Sequence, residues 1–414
     1  MKKRFAIVAL VLCLTLAVLS PVFAQAQGEL TVLDSRAEAD FPMRLNFNLS
    51  ARSNVNITDI RLCYSVDRTS FADVFTETLL DFVPATTVDV SWSLEMVMVG
   101  GLPPGSSLEY WWKIADAGGG RLETEPASVR FDDTRYDWSR LTEGQITLYC
   151  YQDDEAFINE LMDSAQAALA RLAADTGAEL EKPAQFYVYA NSLDLQGAMI
   201  HPQEWTGGVA YTRHGIIAIG IAPTNISWGK RAIAHELAHL VVHQMTLNPY
   251  NDLPTWLDEG LAMYAEGELE SEFVSSLERA IDNDSLISVQ GICSPFSAYS
   301  DSATLGYAQS YSLVEYLISS YGQGKMLELL NTFKEGSGYD AALEAVYGFD
   351  MDTLDSLWQE YVTPTYQSQI VEEQLHPVVE EQLHPALVML LAALSVWLLI
   401  AVYLLVRRRL RRRG

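Results

Sequence analysis

Apolar and polar residues alternate along several short segments in the first third of the chain. Arg44–Leu49, Ile60–Tyr64 and Leu108–Ile114 each carry apolar residues at every second position. A period of two places these residues on one face of a β-strand, and the Gly118–Gly120 run is typical of a turn between strands. We therefore predict that residues 28–136 form a β-sandwich of the fibronectin or immunoglobulin type.

From Gly144 onwards, segments with strand periodicity are joined by longer segments with helical spacing. Between about Trp228 and Tyr361 the pattern is mostly helical, apart from a loop-like stretch at Ser285–Ala303 that is expected to cover the site. These features predict an α+β domain over residues 144–364, following the sandwich in a multi-domain chain. Its first elements are expected as strands at Gln145–Tyr151, Ala184–Tyr189 and, as a pair, Gly208–Ala222, and as a helix at Glu155–Ala174.

Both ends of the chain carry a long apolar run beside basic residues. Near the start, three basic residues precede an apolar run, and Val22 and Ala24 suit the minus-three and minus-one positions of a cleavage site, which predicts a secretory signal peptide at residues 1–24. Near the end, residues 386–406 carry no charge and are long enough for a single transmembrane helix. The arginine-rich residues 407–414 then predict a cytoplasmic tail. The rest of the chain is expected outside the membrane, unless the C-terminal run is a sorting signal removed after export.

The segment between the α+β domain and the C-terminal apolar run contains an exact seven-residue repeat. Val371–Pro377 and Val379–Pro385 both read Val-Glu-Glu-Gln-Leu-His-Pro. Prolines and acidic pairs favour a semi-rigid segment. We therefore predict a stalk at residues 365–385 that holds the α+β domain away from the membrane.

Charge and cysteine content narrow the class of protein. Nine of the 27 basic residues lie in the predicted signal peptide and tail, which leaves 18 against all 54 acidic residues, a net charge of about −36. This balance disfavours nucleic acid and an anionic membrane surface as partners of the exported part. Three cysteines remain there, Cys63, Cys150 and Cys293, and they permit at most one internal disulfide. The chain is therefore not a disulfide-built scaffold.

One segment of the helical region combines residues suited to bind a metal. The sequence His235-Glu236-Leu237-Ala238-His239 places two imidazoles four residues apart, so both project from one face of a helix. Glu236 lies beside this pair, where it is placed to take a proton from a metal-bound water. His243 continues the four-residue repeat, but eight residues of helix separate it from His235 by about 12 Å. The motif therefore predicts a zinc site whose third ligand comes from another segment.

Glu259 is the candidate for this third ligand. It lies one turn into a second predicted helix that follows Pro254, in the sequence Trp-Leu-Asp-Glu-Gly-Leu-Ala. Two histidines and one carboxylate leave a fourth position for water and substrate, as catalytic zinc sites require. Zinc lowers the pKa of a bound water to about 7, and Glu236 would complete its activation. The alternative for the five-residue motif alone is a chance match on an amphipathic helix, and Glu259 argues against it.

The two motifs resemble those of the gluzincin metallopeptidases, the group of thermolysin and aminopeptidase N, and most of all the peptidase MA-like family. The resemblance implies that His235, His239 and Glu259 bind Zn²⁺ and that Glu236 is the general base. It also implies that the strand before the zinc helix, here Gly215–Ile221, forms the edge of the cleft and holds an extended substrate.

A segment further along the chain adds a candidate for stabilising the transition state. Gly306–Leu317 is similar to the aminopeptidase segment in which a tyrosine hydrogen-bonds the tetrahedral oxyanion. Tyr307 takes the place of that tyrosine, and a phenol donor suits that chemistry. Ordinary aromatic packing is the alternative for Tyr307 and the expected role of Tyr311.

Two departures limit what the resemblance implies. The chain lacks the Gly-x-Met-Glu-Asn segment with which aminopeptidases hold a substrate amine, so no exopeptidase activity is implied. Met263 stands where thermolysin-type enzymes carry the aspartate that supports a ligand histidine.

The predicted function is a membrane-anchored, extracytoplasmic zinc metallopeptidase that hydrolyses a peptide or protein substrate. The alternative is a catalytically inactive peptidase fold that acts as a surface adhesion or scaffold protein, and the sequence does not indicate an oligomeric state.

Overall fold

The computed structural model describes residues 30–152, 154–202, 207–296 and 300–373. The strands are β1 (Thr31–Asp40), β2 (Arg44–Val66), β3 (Thr76–Leu79), β4 (Ala85–Glu95), β5 (Ser106–Asp116), β6 (Arg121–Glu123), β7 (Ala127–Phe131), β8 (Ser139–Glu143), β9 (Ile146–Cys150), β10 (Ala184–Tyr189), β11 (Gly208–Tyr211) and β12 (Ile216–Gly220). The helices are α1 (Met96–Val99), α2 (Glu155–Thr176), α3 (Ser192–Gln196), α4 (Ile226–Thr246), α5 (Thr255–Glu266), α6 (Ser271–Asp282), α7 (Ser300–Tyr321), α8 (Gln323–Lys334), α9 (Tyr339–Tyr347) and α10 (Met351–Glu373).

The N-terminal region is built around one long strand. β2 pairs antiparallel with β1 and β4 along its first half and with β3 and β5 along its second half. β6 and β7 extend the sheet from β5, so seven strands form one continuous sheet. The alternating pattern buries Leu45, Phe47 and Leu49 on one face. The predicted β-rich N-terminal region is confirmed, and its fibronectin or immunoglobulin type stays a prediction.

A second sheet has the order β11-β12-β10-β9-β8. β9, β10 and β12 are parallel, and β11 and β8 pair antiparallel at the two edges. All five residues of β12 are buried, which fits a strand with neighbours on both sides. The prediction that Gly215–Ile221 forms the edge of the cleft is therefore wrong, because β11 (Gly208–Tyr211) occupies that edge.

The two sheets share one hydrophobic core. Phe47 and Trp112 of the N-terminal sheet belong to the same buried cluster as Tyr187 and Ile216 of the second sheet. Gly105 permits the close approach, since a Cβ atom there would overlap the hydroxyl of Tyr187. The N-terminal region thus packs directly on the sheet that leads to the metal-binding motif.

The helical part of the chain follows the sequence pattern closely. α4 and α5 carry the two motifs, and the apolar residues Ile233, Leu237 and Leu240 of α4 are fully buried. α4 packs against α2 and α5, and α5 packs against α7. The region predicted as a loop contains a short 3₁₀ turn at Val289–Ile292, and α7 begins within its last residues.

The chain divides into a large unit, residues 1–362, and a second unit, residues 363–414. In the second unit the described residues end with α10, whose helix continues to Glu373 and so enters the segment predicted as a stalk. No helix in the described ranges is both long and apolar enough to cross a membrane. The predicted signal peptide at residues 1–24, the rest of the stalk at 374–385, the transmembrane helix at 386–406 and the tail at 407–414 lie outside the described residues.

Candidate metal centre

Two adjacent helices bring the three predicted ligands together. α4 presents His235 and His239 one turn apart, and α5 presents Glu259 opposite them. The Nε2 atoms of the two histidines are 3.2 Å apart. Oε2 of Glu259 lies 3.4 Å from Nε2 of His235 and 3.5 Å from Nε2 of His239. The three donor atoms therefore form a nearly equilateral triangle.

The size of this triangle fits a zinc ion. Donors at the usual distances of about 2.0–2.2 Å from a tetrahedral zinc ion are about 3.3–3.6 Å from one another. Among the described residues, Oε2 of Glu259 is buried and has no hydrogen-bond partner, although a buried carboxylate oxygen ordinarily has one. Two imidazoles and one carboxylate also match the donor set of catalytic zinc sites. The residues present thus fit a three-ligand zinc site.

Carboxylates behind the two histidines orient the imidazole rings. Nδ1 of His235 lies 2.8 Å from Oε1 of Glu266, and Nδ1 of His239 lies 2.9 Å from Oδ1 of Asp258. In neutral imidazoles, these hydrogen bonds place the proton on Nδ1 and leave the lone pair of Nε2 facing Glu259. Asp258 and Glu266 therefore supply the supporting acceptors that the sequence analysis did not identify.

The charged groups of the site shift the pKa values of its histidines and of Glu259 strongly. Burial alone would lower the pKa of His235, but the carboxylates of Glu259 and Glu266 outweigh it and raise this pKa to about 9. Burial likewise opposes the shift of Glu259, whose pKa the two histidines lower to about 2. The pKa of His239 is also raised, because Asp258 and Glu259 outweigh the effect of burial. The protein thus holds a deprotonated carboxylate against two strongly basic imidazoles, an arrangement in which a metal ion can replace the protons.

The side chain of Glu236 on α4 lies next to the edge strand β11. Burial raises the pKa of its carboxyl group, and the nearby imidazoles of His239 and His235 oppose this rise. The backbone amide of Ala210 on β11 interacts with the carboxylate. A Cβ atom at Gly208 would lie 3.0 Å from Oε1 of Glu236, so the glycine leaves space beside this group. Glu236 is thus a partly buried carboxyl group beside the outer edge of the second sheet.

Tyr307 reaches the same region from α7. Burial raises the pKa of its phenol to about 12, and the charges of Glu259 and Glu236 add to this rise. The ring of Phe296 covers it edge to face, with 4.9 Å between the ring centroids. Gly260 allows α7 to approach α5 closely, since a Cβ atom there would overlap the carbonyl of Ser310. Tyr307 therefore stays protonated at neutral pH and is available as a hydrogen-bond donor.

Two neighbouring residues lie outside the triangle. Tyr311 packs on Tyr264, with ring centroids 6.0 Å apart, as expected for a structural role. His243 lies in the last turn of α4, and its Nε2 is 3.0 Å from Oδ2 of Asp258. His239, His243 and Asp258 form a second group within coordinating distance. In this group both histidines hydrogen-bond the carboxylate of Asp258.

Sequence reasoning missed Asp258 and Glu266, although signals for both are present. Asp258 directly precedes Glu259, and Glu266 follows Glu259 by two helical turns, which places it on the same face of α5. An acidic residue at either position can reach α4 once the two helices cross. The predicted edge strand was the other error, and the shorter, less apolar Gly208–Tyr211 was the better candidate for an edge.

Comparisons with known proteins agree with the motif. Residues 164–364 match the Peptidase MA superfamily, which confirms the predicted peptidase MA-like resemblance. No curated protein sequence matches the chain. Solved structures give partial matches with low TM-scores, which carry no argument about the fold. OgpA of Akkermansia muciniphila, solved in an inactive form with an O-glycopeptide, is 11% identical over 27% of this chain and 32% of its own, with a TM-score of 0.20. A family 56 carbohydrate-binding module for β-1,3-glucan is 18% identical over 25% of this chain and 99% of its own, with a TM-score of 0.15.

Proposed function

We propose that this chain, in which residues 164–364 form a Peptidase MA superfamily domain, is a zinc-dependent metallopeptidase. The observation that carries this proposal is the triangle of donor atoms from His235, His239 and Glu259, with sides of 3.2, 3.4 and 3.5 Å. These residues would hold the ion, which lowers the pKa of a water to about 7 and polarises the scissile carbonyl.

The chain's own residues carry the proton transfers. Glu236 accepts a proton from the attacking water and later passes it to the leaving amine. Burial raises its pKa towards the neutral range, and this suits a group that must both accept and release a proton. The phenol of Tyr307 donates a hydrogen bond to the tetrahedral oxyanion. Asp258 and Glu266 keep both ligand imidazoles in the tautomer that presents Nε2.

The edge strand β11 positions the substrate. Its outer side has no partner strand within the described part of the chain, and it borders Glu236 at Gly208 and Ala210. A peptide in extended conformation can add to this edge through backbone hydrogen bonds. Such binding places few demands on side chains, so specificity must come from surfaces beyond the strand.

We also propose that the enzyme acts outside the cell membrane and is anchored by residues 386–406. The support is the uncharged run followed by six arginines in the sequence. Fractionation of cells that produce the full chain or a chain ending at residue 373 tests this proposal. The full chain is expected with the membranes and the shortened chain in the soluble fraction; a full chain recovered as a soluble protein would contradict the anchor.

Two conservative variants test the mechanism. With zinc-loaded protein and unfolded casein as the substrate, Glu236→Gln should lower turnover by about 10²–10⁴-fold and leave the zinc content unchanged. Tyr307→Phe removes one oxyanion donor and should lower kcat by about 10²-fold. Tyr311→Phe is the matched control and should retain near-normal turnover.

Undiminished turnover in Glu236→Gln would contradict the proposed mechanism. A wild-type chain that binds no zinc and cleaves no peptide would instead favour the surface adhesion or scaffold role.

A further inference from the structure

A large groove lies on the N-terminal sheet, away from the candidate metal centre. It is formed where the loop between β2 and β3 faces β5, and its volume of about 870 Å³ falls within the range typical of ligand sites. Its walls include the rings of Tyr64, Phe71, Phe75 and Trp111 and the guanidinium groups of Arg68 and Arg213.

Two of the aromatic rings in this groove are exposed to an extent unusual for phenylalanine. Phe71 is 50% exposed and Phe75 is 48% exposed. Neighbouring groups hold both rings in place, since Phe75 packs on Trp111 with 5.2 Å between centroids and the guanidinium of Arg213 lies 5.6 Å from the centre of Phe71. Large apolar side chains grouped on a surface mark a binding site more often than isolated ones do. Acidic and basic residues both line the groove, so the aromatic rings are the feature that selects a ligand.

The groove continues towards the catalytic edge strand. Arg213 lies in the turn that directly follows β11, and its carbonyl accepts a hydrogen bond of 2.7 Å from the amide of Thr69 in the loop between β2 and β3. Thr69 and Arg213 also line a small cavity together with His243, which lies in the last turn of α4. The groove is thus contiguous with the end of β11 and with the last turn of α4.

The distances suit one polypeptide that occupies both places. Ala210 borders Glu236, and Arg213 follows three residues later along the chain. β11 ends at Tyr211 and Arg213 lies in the 3₁₀ turn Thr212–His214, so the two residues are separated by less than the about 10 Å that three extended residues span. A peptide that lies along β11 from the catalytic centre therefore reaches the groove about three residues from its scissile bond.

We propose that this groove is a distal substrate site that binds aromatic or large apolar side chains of the polypeptide being cleaved, a few residues from the scissile bond. The inference rests on the proposed peptidase function and adds to it a source of specificity. β11 would bind the substrate backbone, and the N-terminal sheet would select among side chains.

The test compares a long and a short substrate that share one cleaved bond. The bond is taken from a digest of unfolded casein, and peptides of about 20 and 6 residues are made around it. In the full chain, the double variant Phe71→Ser, Phe75→Ser should lower kcat/KM for the long peptide about tenfold, mainly through KM, and leave the short peptide unchanged. Val83→Ser is the matched control, because Val83 is 84% exposed and lies outside the groove. Equal changes for both peptides, or no change for either, would overturn the distal site.

A binding measurement separates failure of this inference from failure of the proposed function. Fluorescence anisotropy of labelled, carboxymethylated casein is measured with the Glu236→Gln chain, alone and combined with the two serine substitutions. About tenfold weaker binding in the combined variant supports the groove even if the wild-type chain proves unable to hydrolyse casein. Hydrolysis by the wild type with equal binding in both variants would overturn the groove alone. Displacement of casein by soluble dextran would assign the groove to a carbohydrate and also overturn it.

Discussion

Carboxylates on the N-terminal sheet and carboxylates at the candidate metal centre have different partners. On the sheet, Glu77 lies 2.7 Å from both Lys113 and Arg61, and hydrogen bonds to these two cations lower its pKa to about 2. At the metal centre, Asp258 and Glu259 face imidazoles instead. Both clusters contain ionised carboxylates in close contact with basic groups.

The difference in partners separates a structural ion pair from a metal site. Lysine and arginine keep their protons at all ordinary pH values and so saturate a carboxylate permanently. Imidazoles can release their protons in exchange for a metal ion, and here the Nε2 atoms of His235 and His239 together with Glu259 would hold such an ion. In a chain with 54 acidic residues, acidic clusters are therefore weak evidence of a metal site, and the histidine partners are the informative feature.

The substitution Glu259→Gln should have the largest effect within this comparison. It keeps the size of the side chain but replaces an anionic ligand with a weakly coordinating amide, so zinc affinity should fall by more than about 100-fold. Competition with a fluorescent chelator measures this affinity. Glu268→Gln changes a nearby acidic residue outside the triangle and serves as the control. Unchanged affinity in Glu259→Gln would remove Glu259 from the ligand set.

The substitution Asp258→Asn should have an intermediate effect. Asp258 accepts hydrogen bonds from both His239 and His243, and an amide can present its NH₂ group to these rings and favour the wrong tautomer. Zinc affinity should fall by about 10–100-fold. Asp252→Asn alters an exposed aspartate just before α5 and should leave the affinity at the wild-type value. An equal effect of the two substitutions would show that Asp258 acts only through general charge.

The substitution Glu77→Gln should have the smallest effect. Because folding lowers the pKa of Glu77 from 4.5 to about 2, its stabilising contribution is present above about pH 4.5 and is lost as the pH falls through about 2. Exposed ion pairs contribute little, so the melting temperature at pH 7 should fall by less than about 4 °C. Calorimetry at pH 7 and at pH 2 checks that the difference shrinks in acid. A loss of zinc in this variant would contradict the assignment of Glu77 to a structural ion pair that is separate from the metal site.

Local periodicity predicted the elements that carry the site. The strand at Ala184–Tyr189 has the predicted bounds, and α4 and α5 carry both motifs as expected. Their ligands meet because spacing along each helix fixes which residues share a face. These features depend on residues within a few turns of one another, which is the range over which a sequence pattern is informative.

Features that depend on long-range pairing were harder to predict. Alternation in β2 predicts a strand, but it does not show that the two halves of this strand pair with different neighbours. The same limit hid the edge position of β11, because an apolar run such as Ile216–Gly220 indicates a strand without indicating its neighbours. Glu266 was missed because its role depends on how α5 crosses α4.

X-ray absorption spectroscopy of the zinc-loaded full chain tests the central claim most directly. The donor triangle predicts about one zinc ion per chain, bound by two imidazole nitrogens and by oxygen, with all ligands at about 2.0–2.2 Å. In His239→Ala the signal of one imidazole should be lost, or the zinc should no longer be retained. A sulfur ligand at about 2.3 Å, or a wild-type chain that retains no zinc, would contradict the assignment of this site.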